Sequence, residues 1–154
     1  QAVRPPVYEV RRKPGTPYFR HVSSEHPEDE SFPGVLLVRI VGRLFFLNVK
    51  NASDALAALA EESRPRVLVI DCRPLIDLEY TALKALIEAE ESLRGRGVLL
   101  CLASLNHNVR DIVDRSSLAT TLGRERMFFN LEQALAAAPA LLERAGAPVS
   151  EAKP

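Results

Sequence analysis

The stretch Arg66-Val67-Leu68-Val69-Ile70-Asp71 sets the architecture. Four apolar side chains follow one another with no polar interruption. A strand with one wet face alternates apolar and polar residues. An unbroken run is expected where both faces of a sheet are covered, as in parallel α/β sheets. Pro65 stands just before it and ends the preceding helix, because proline offers no backbone N–H and crowds the turn before it. Toward the carboxyl end, the loop Cys72-Arg73-Pro74-Leu75-Ile76-Asp77 leads into a helix predicted over 78–94, with Leu83, Leu86, Ile87 and Leu93 on its buried side. Gly95-Arg96-Gly97 closes that helix. Val98 to Leu102 is a second buried strand. Asn106 is placed to cap a helix carrying Val109, Ile112 and Val113. Met127 to Phe129 is a short last strand. Asn130 and Gln133 have capping-box spacing for a final helix, which Pro139 is expected to break or divide.

Toward the amino end, a helix capped by Asn48 or Asn51 runs to about Glu62, with Leu56, Leu59 and Ala60 on one face. Before it, Gly34 to Val41 reads as a strand after a Pro-Gly turn, Gly42-Arg43 as a turn, and Leu44 to Leu47 as a second strand closing a hairpin. A hairpin followed by alternating helices and strands implies right-handed crossovers and a largely parallel sheet with one antiparallel addition. The expected class is therefore α/β with a mixed sheet.

Residues 1–33 differ from the rest. They hold Pro5, Pro6, Pro14, Pro17, Pro27 and Pro33 of the eleven prolines. Basic residues gather at 4–20 and acidic ones at 25–30. We expect an extended linker or arm over 1–33, a domain over 34–146 and a frayed tail over 147–154. The chain opens on Gln1 and its one methionine is Met127, so it is expected to be cut from something longer or processed. No apolar signal-peptide core follows Gln1, and no 18-residue apolar stretch occurs.

At 154 residues, one domain is the natural size, and roughly 70% of the unfolded surface can be buried. Apolar residues at 47% and charged residues at 26% fit a globular chain. Twenty Lys and Arg balance twenty Asp and Glu, which argues against a general nucleic-acid binder. Cys72 and Cys101 are too far apart in sequence for a CxxC zinc site, and two cysteines make no disulfide scaffold. Neither a Walker A sequence nor a GxSxG elbow occurs. Gly95-Arg96-Gly97 lacks the third glycine of a dinucleotide fingerprint and precedes a strand. His21, His26 and His107 read as surface residues and Cys101 as a core residue. Cys72 ends a strand but has no nearby histidine to activate it. Glu88, Glu90 and Glu91 read as a solvated helix face. No paired acid and base emerges, so the chain is not expected to be an enzyme.

Several segments resemble a known family. Phe32-Pro33-Gly34-Val35-Leu36-Leu37-Val38-Arg39-Ile40, with Leu44-Phe45-Phe46-Leu47-Asn48, resembles the start of the STAS domain of bacterial SulP-type sulfate/anion permeases. Arg11-Arg12-Lys13-Pro14-Gly15-Thr16-Pro17-Tyr18 is similar to the segment that follows the last membrane helix in those permeases. Ile76 to Leu83 lines up with the family's loop-to-helix signature. Gly97-Val98 into Leu102-Ala103, and Leu122-Gly123 through Phe128-Phe129 with Ala134-Leu135, match its later strands and end. The likeness covers about residues 8–138. It implies a STAS-like mixed sheet with helices packed mainly on one side. It also implies a non-enzymatic regulatory domain on the cytoplasmic side of the membrane, within a longer integral membrane protein. Implied partners are the transporter's membrane domain in cis, a second copy, or a cytosolic protein, and no nucleic acid. No cofactor is implied.

Related free-standing STAS proteins are anti-sigma-factor antagonists, whose corresponding loop carries a phosphorylated Ser or Thr. Here Asp77 keeps the acid, but Leu78 and Glu79 replace the hydroxyls, and Thr81 is out of register. A free-standing signalling protein of that kind is the alternative function. The expected contact surface is the loop from Arg73 through Asp77, Leu78 and Glu79 to Thr81. Free amides at the start of its helix could accept an anion or a nucleotide phosphate, with Arg73 assisting. The plain alternative is a strand-to-helix connection with Asp77 as its cap.

Overall fold

The computed structural model describes residues 6–44 and 48–146, with the side chain of Leu44 excepted. Its strands are β1 (Val7–Arg12), β2 (Phe19–His21), β3 (Val35–Ile40), β4 (Gly42–Leu44), β5 (Val67–Asp71), β6 (Leu75–Leu78), β7 (Leu99–Ala103) and β8 (Met127–Phe128). Its helices are α1 (Val49–Ser63), α2 (Tyr80–Gly95), α3 (His107–Asp114), α4 (Ser117–Leu122) and α5 (Leu131–Ala145).

Six strands form one mixed sheet in the order β2-β1-β3-β5-β7-β8, and β4 and β6 form a separate ribbon. β3, β5, β7 and β8 are parallel; β1 runs antiparallel to β3 and to β2. All five residues of β5 are buried, as its unbroken apolar run requires. Alternate side chains serve two cores. Leu36, Val38, Leu68, Ile70, Leu100 and Leu102 face α1 to α4. Leu37, Val67, Val69, Cys101 and Ala103 face α5, which packs with Leu131, Ala134 and Leu141. Four of the five described α-helices thus lie on one side.

Several local expectations are corrected. The hairpin does not form: β4 pairs in parallel with β6, not with β3. Both edges of β3 are already taken, by β5 and by β1, and Val41 N–H extends the β1 ladder by donating to the Pro6 carbonyl at 3.1 Å. Gly42, at φ 82°, redirects the chain into the ribbon. Phe45, Phe46 and Leu47 of the expected second strand lie outside the described residues. The segment read as an arm supplies β1 and β2, and Val7 and Val10 are 3% and 1% exposed. The sheet therefore begins well before Gly34. Pro139 leaves α5 continuous. It sits on the exposed side, where water can serve the carbonyl its missing N–H would have bonded.

Glu90 is also not solvated. It is 2% exposed, and its carboxylate accepts two bonds from the Arg94 guanidinium at 3.0 Å each. Arg126 is 3% exposed and is held by carbonyls instead, donating to Leu100 O at 3.3 Å and Thr121 O at 2.8 Å. Its Nε has no partner among the described residues, and burial lowers its pKa from the ordinary arginine value. Leu83 and Leu93 are buried as expected, whereas Leu86 and Ile87 are only half-buried.

Candidate functional site

The expected surface lies between β5 and α2. After Asp71 the chain turns, with Leu75 N–H donating to the Cys72 carbonyl at 2.9 Å, and runs through β6. Asn106, at the start of α3, pins that strand. Its amide nitrogen donates to Leu75 O at 2.9 Å while its oxygen caps Val109 N–H at 2.8 Å. Asp77 is held from three sides. Its Oδ1 accepts from Leu78 N–H at 2.9 Å and from Asn108 Nδ2 at 3.1 Å, and its Oδ2 lies 3.5 Å from Arg43 Nη1.

The N-cap of α2 is Glu79, in an extended conformation, rather than Asp77. Asp77 serves the loop, not the helix end. Leu78 is 2% exposed and belongs to the core beneath α2, so it anchors the loop and presents nothing to a partner. Glu79 and Thr81 are exposed. Sequence reasoning missed Ile76 and Tyr80, which are 54% and 77% exposed. These are two of the most exposed large apolar side chains described. The surface is an apolar pair beside a fixed negative charge. Contact with another molecule suits it better than chemistry does.

Arg73 is placed elsewhere. Its N–H donates to Asp71 Oδ1 at 3.1 Å, and its side chain lines a cleft of about 370 Å³ on the α5 side with Arg39, Asp71, Tyr18, Ser104 and Asn130. It does not join Asp77, Glu79 and Thr81. No sequence spacing marked this cleft, because β2, β3, β5, α5, the β1–β2 turn and the segment after β7 each contribute to it.

The other reactive side chains are quiet. Cys72 is 3% exposed, and burial together with the Asp71 charge pushes its thiol up. Cys101 is pushed up to about 12 by burial. A thiol held protonated is a poor nucleophile. His21 stacks on Tyr8 with ring centroids 4.4 Å apart. His26 lies 3.8 Å from Glu28, and His107 is exposed. Among the described residues no group of three or more His, Cys, Asp or Glu is arranged to hold a metal ion.

The described residues form a mixed sheet with four α-helices on one face and one on the other, an α/β domain with a tethered loop at the start of its second helix. The chain belongs to the STAS domain family, whose model matches residues 26–134. It is 25% identical over 146 residues to high affinity sulfate transporter 2 of Stylosanthes hamata, covering 88% of this chain and 22% of the transporter. The chain thus spans about a fifth of the length of that curated relative. Among solved structures, a sulfate transporter family protein from Wolinella succinogenes is 30% identical with a TM-score of 0.64, over 76% of this chain and 95% of that one. The murine Slc26a9 anion transporter in its inward-facing state shares the fold, with a TM-score of 0.76 at 17% identity over 87% of this chain and 22% of that one. So does an anti-sigma factor antagonist from Mycobacterium paratuberculosis, with a TM-score of 0.60 at 24% identity over 70% of this chain and 88% of that one. No described helix is long and apolar enough to cross a membrane.

Proposed function

We propose that this STAS domain is a non-enzymatic regulatory module of a sulfate or anion transporter. It sits on the cytoplasmic side of the membrane and contacts the transporter's membrane domain in cis through the segment 76–81. The carrying observation is the exposed pair Ile76 and Tyr80 beside Glu79, set at the β6–α2 junction that Leu78, Asp77 and Asn106 hold in place. A pre-ordered loop loses little conformational freedom on docking, and tyrosine is favoured at interface centres. Support for the transporter setting comes from the 25% identity to a plant sulfate transporter across most of this chain.

The test is uptake by the intact transporter. Glu79→Lys and Tyr80→Ala should each change the uptake rate while the thermal unfolding of the purified domain shifts little, since both side chains are exposed. Normal uptake with both variants would overturn the assignment of this loop. Thr81→Ala should leave uptake unchanged, and detection of phosphate on Thr81 in cells together with an uptake defect would restore a phosphorylation switch.

The alternative, a free-standing antagonist of an anti-sigma factor, draws on the shared fold. The absence of a hydroxyl at Leu78 and Glu79 weighs against it. An initiator methionine close to residue 1 in the full reading frame would favour it. A run of about ten apolar segments upstream would remove it.

A further inference from the structure

We propose that the cleft on the α5 side binds a small organic oxyanion: a carboxylate or phosphate carried on a flat apolar body. The cleft opens at the carboxyl ends of β3 and β5, where open α/β sheets commonly place ligands. Its volume of about 370 Å³ lies within the range of small-molecule sites and well above the size of a bare ion.

The charges in the cleft are unequally used. Asp71 is 2% exposed and both of its oxygens are occupied. Oδ2 accepts from Arg39 Nε at 2.8 Å and Oδ1 from the Arg73 N–H at 3.1 Å. Glu132, at the rim, is bonded to Arg12 Nη1 at 3.2 Å. The carboxylates therefore have their partners. The guanidiniums keep N–H groups in reserve. Arg39 also donates from Nη1 to the Phe19 carbonyl at 3.1 Å, which fixes its plane and leaves Nη2 unused. The exposed Arg73 guanidinium has no hydrogen-bond or ion-pair partner among the described residues. Two forks with unused N–H groups, one rigid and one able to swing, match the oxygens of a carboxylate or phosphate.

The walls suit a flat body. Tyr18 lines the cleft with 68% of its surface exposed, beside Phe19. Phe129, next to the lining residue Asn130 but not itself on the cleft wall, is 80% exposed. Ser104 joins these parts. It holds a left-handed backbone at φ 62°, rare for a residue with a side chain, and its hydroxyl donates to the Phe129 carbonyl at 3.3 Å. Uncovered aromatic surface next to guanidinium donors with no protein partner offers a ligand both an apolar face and N–H groups to bond.

The experiment follows backbone amide resonances of the 154-residue chain during titration with phenyl phosphate, benzoate, phenol and inorganic phosphate. Phenyl phosphate, benzoate or both should move the amides of Tyr18, Ser104 and Asn130, and which of them binds tighter assigns the head group. Arg73→Gln and Tyr18→Ala, both at exposed side chains, should each weaken that binding about tenfold or more. Phenol should bind far more weakly. If neither ring-bearing anion moves those amides, or if Arg73→Gln leaves the affinity unchanged, there is no such site. Inorganic phosphate binding as tightly as phenyl phosphate would overturn the role given to the aromatic walls. The outcome does not depend on the transporter reading, because neither Glu79 nor Tyr80 takes part.

Discussion

Arg39 and Asp71 stand opposite each other in register on the adjacent parallel strands β3 and β5, and Arg39 Nε donates to Asp71 Oδ2 at 2.8 Å. The Asp71 side chain is 2% exposed and the Arg39 side chain 19%. Removing one member of such a pair leaves the other charge poorly solvated. Asp71→Ala should therefore cost about 3 kcal/mol, the lower end for a buried pair, because Arg39 still reaches water. Urea denaturation measures this, and an unchanged midpoint would mean that the pair contributes nothing.

Deletion of residues 1–30 should abolish cooperative thermal unfolding. The deletion removes β2 and also β1, which lies between β2 and β3 in the main sheet. Val10→Ala is the milder probe. It should destabilise by roughly 1.5–2 kcal/mol for two buried carbons at a site 1% exposed. A truncated chain that still melts in a single sharp transition would show that β1 is dispensable.

Acid should loosen the segment after β2. The Asp29 carboxyl is held below its usual value of 3.8, chiefly by the hydrogen bonds from Arg20 at 2.7 and 2.8 Å. A depressed folded pKa stabilises the fold above the unfolded value and loses that effect as pH falls through the folded value. The window therefore opens near pH 4 and extends below it. Asp29→Asn should lower the melting temperature at pH 6, and by less at pH 2. An equal deficit at both would point to lost packing instead of charge.

Both thiols should resist modification. At pH 8 the native chain should react negligibly with Ellman's reagent, while the denatured chain should release two equivalents, one each from Cys72 and Cys101. Rapid reaction of one thiol in the native state would reveal local opening of the sheet.

Much of the architecture was legible because its signals are local. The apolar run at 67–70, the Asn106 and Asn130 caps and Gly97 each report on a few neighbouring residues, and the structure places a strand, two capped helix starts and a helix-ending turn there. The misreadings share a different cause. Whether 35–40 pairs with the strand that follows it or with residues 7–12 depends on which edge of β3 is occupied, and no local pattern carries that information. Glu90 was misplaced for a related reason. Its polarity suggests solvent, but its partner Arg94 shields it one turn further along the same helix. At the candidate site the expected loop ran from Arg73 to Thr81, and its sequence did not show how its side chains divide between core, cleft and surface. Leu78 was taken for a contact residue although it anchors the loop. Ile76 and Tyr80 were passed over because exposure of an apolar side chain leaves no mark on the sequence.

The antiparallel direction of β1 has a mechanical consequence. Val7 is paired with Ile40 and Glu9 with Val38, so the chain meets the sheet at the same end as the 76–81 loop. The hydrogen bonds of an antiparallel ladder lie across the strand axis. Tension applied at residue 6 along that axis therefore strains the β1–β3 bonds together, in shear, and does not peel them apart one by one. A displacement at residue 6 would be passed to the sheet as a whole before any strand detached, with Val41, bonded to the Pro6 carbonyl, next to the point of application.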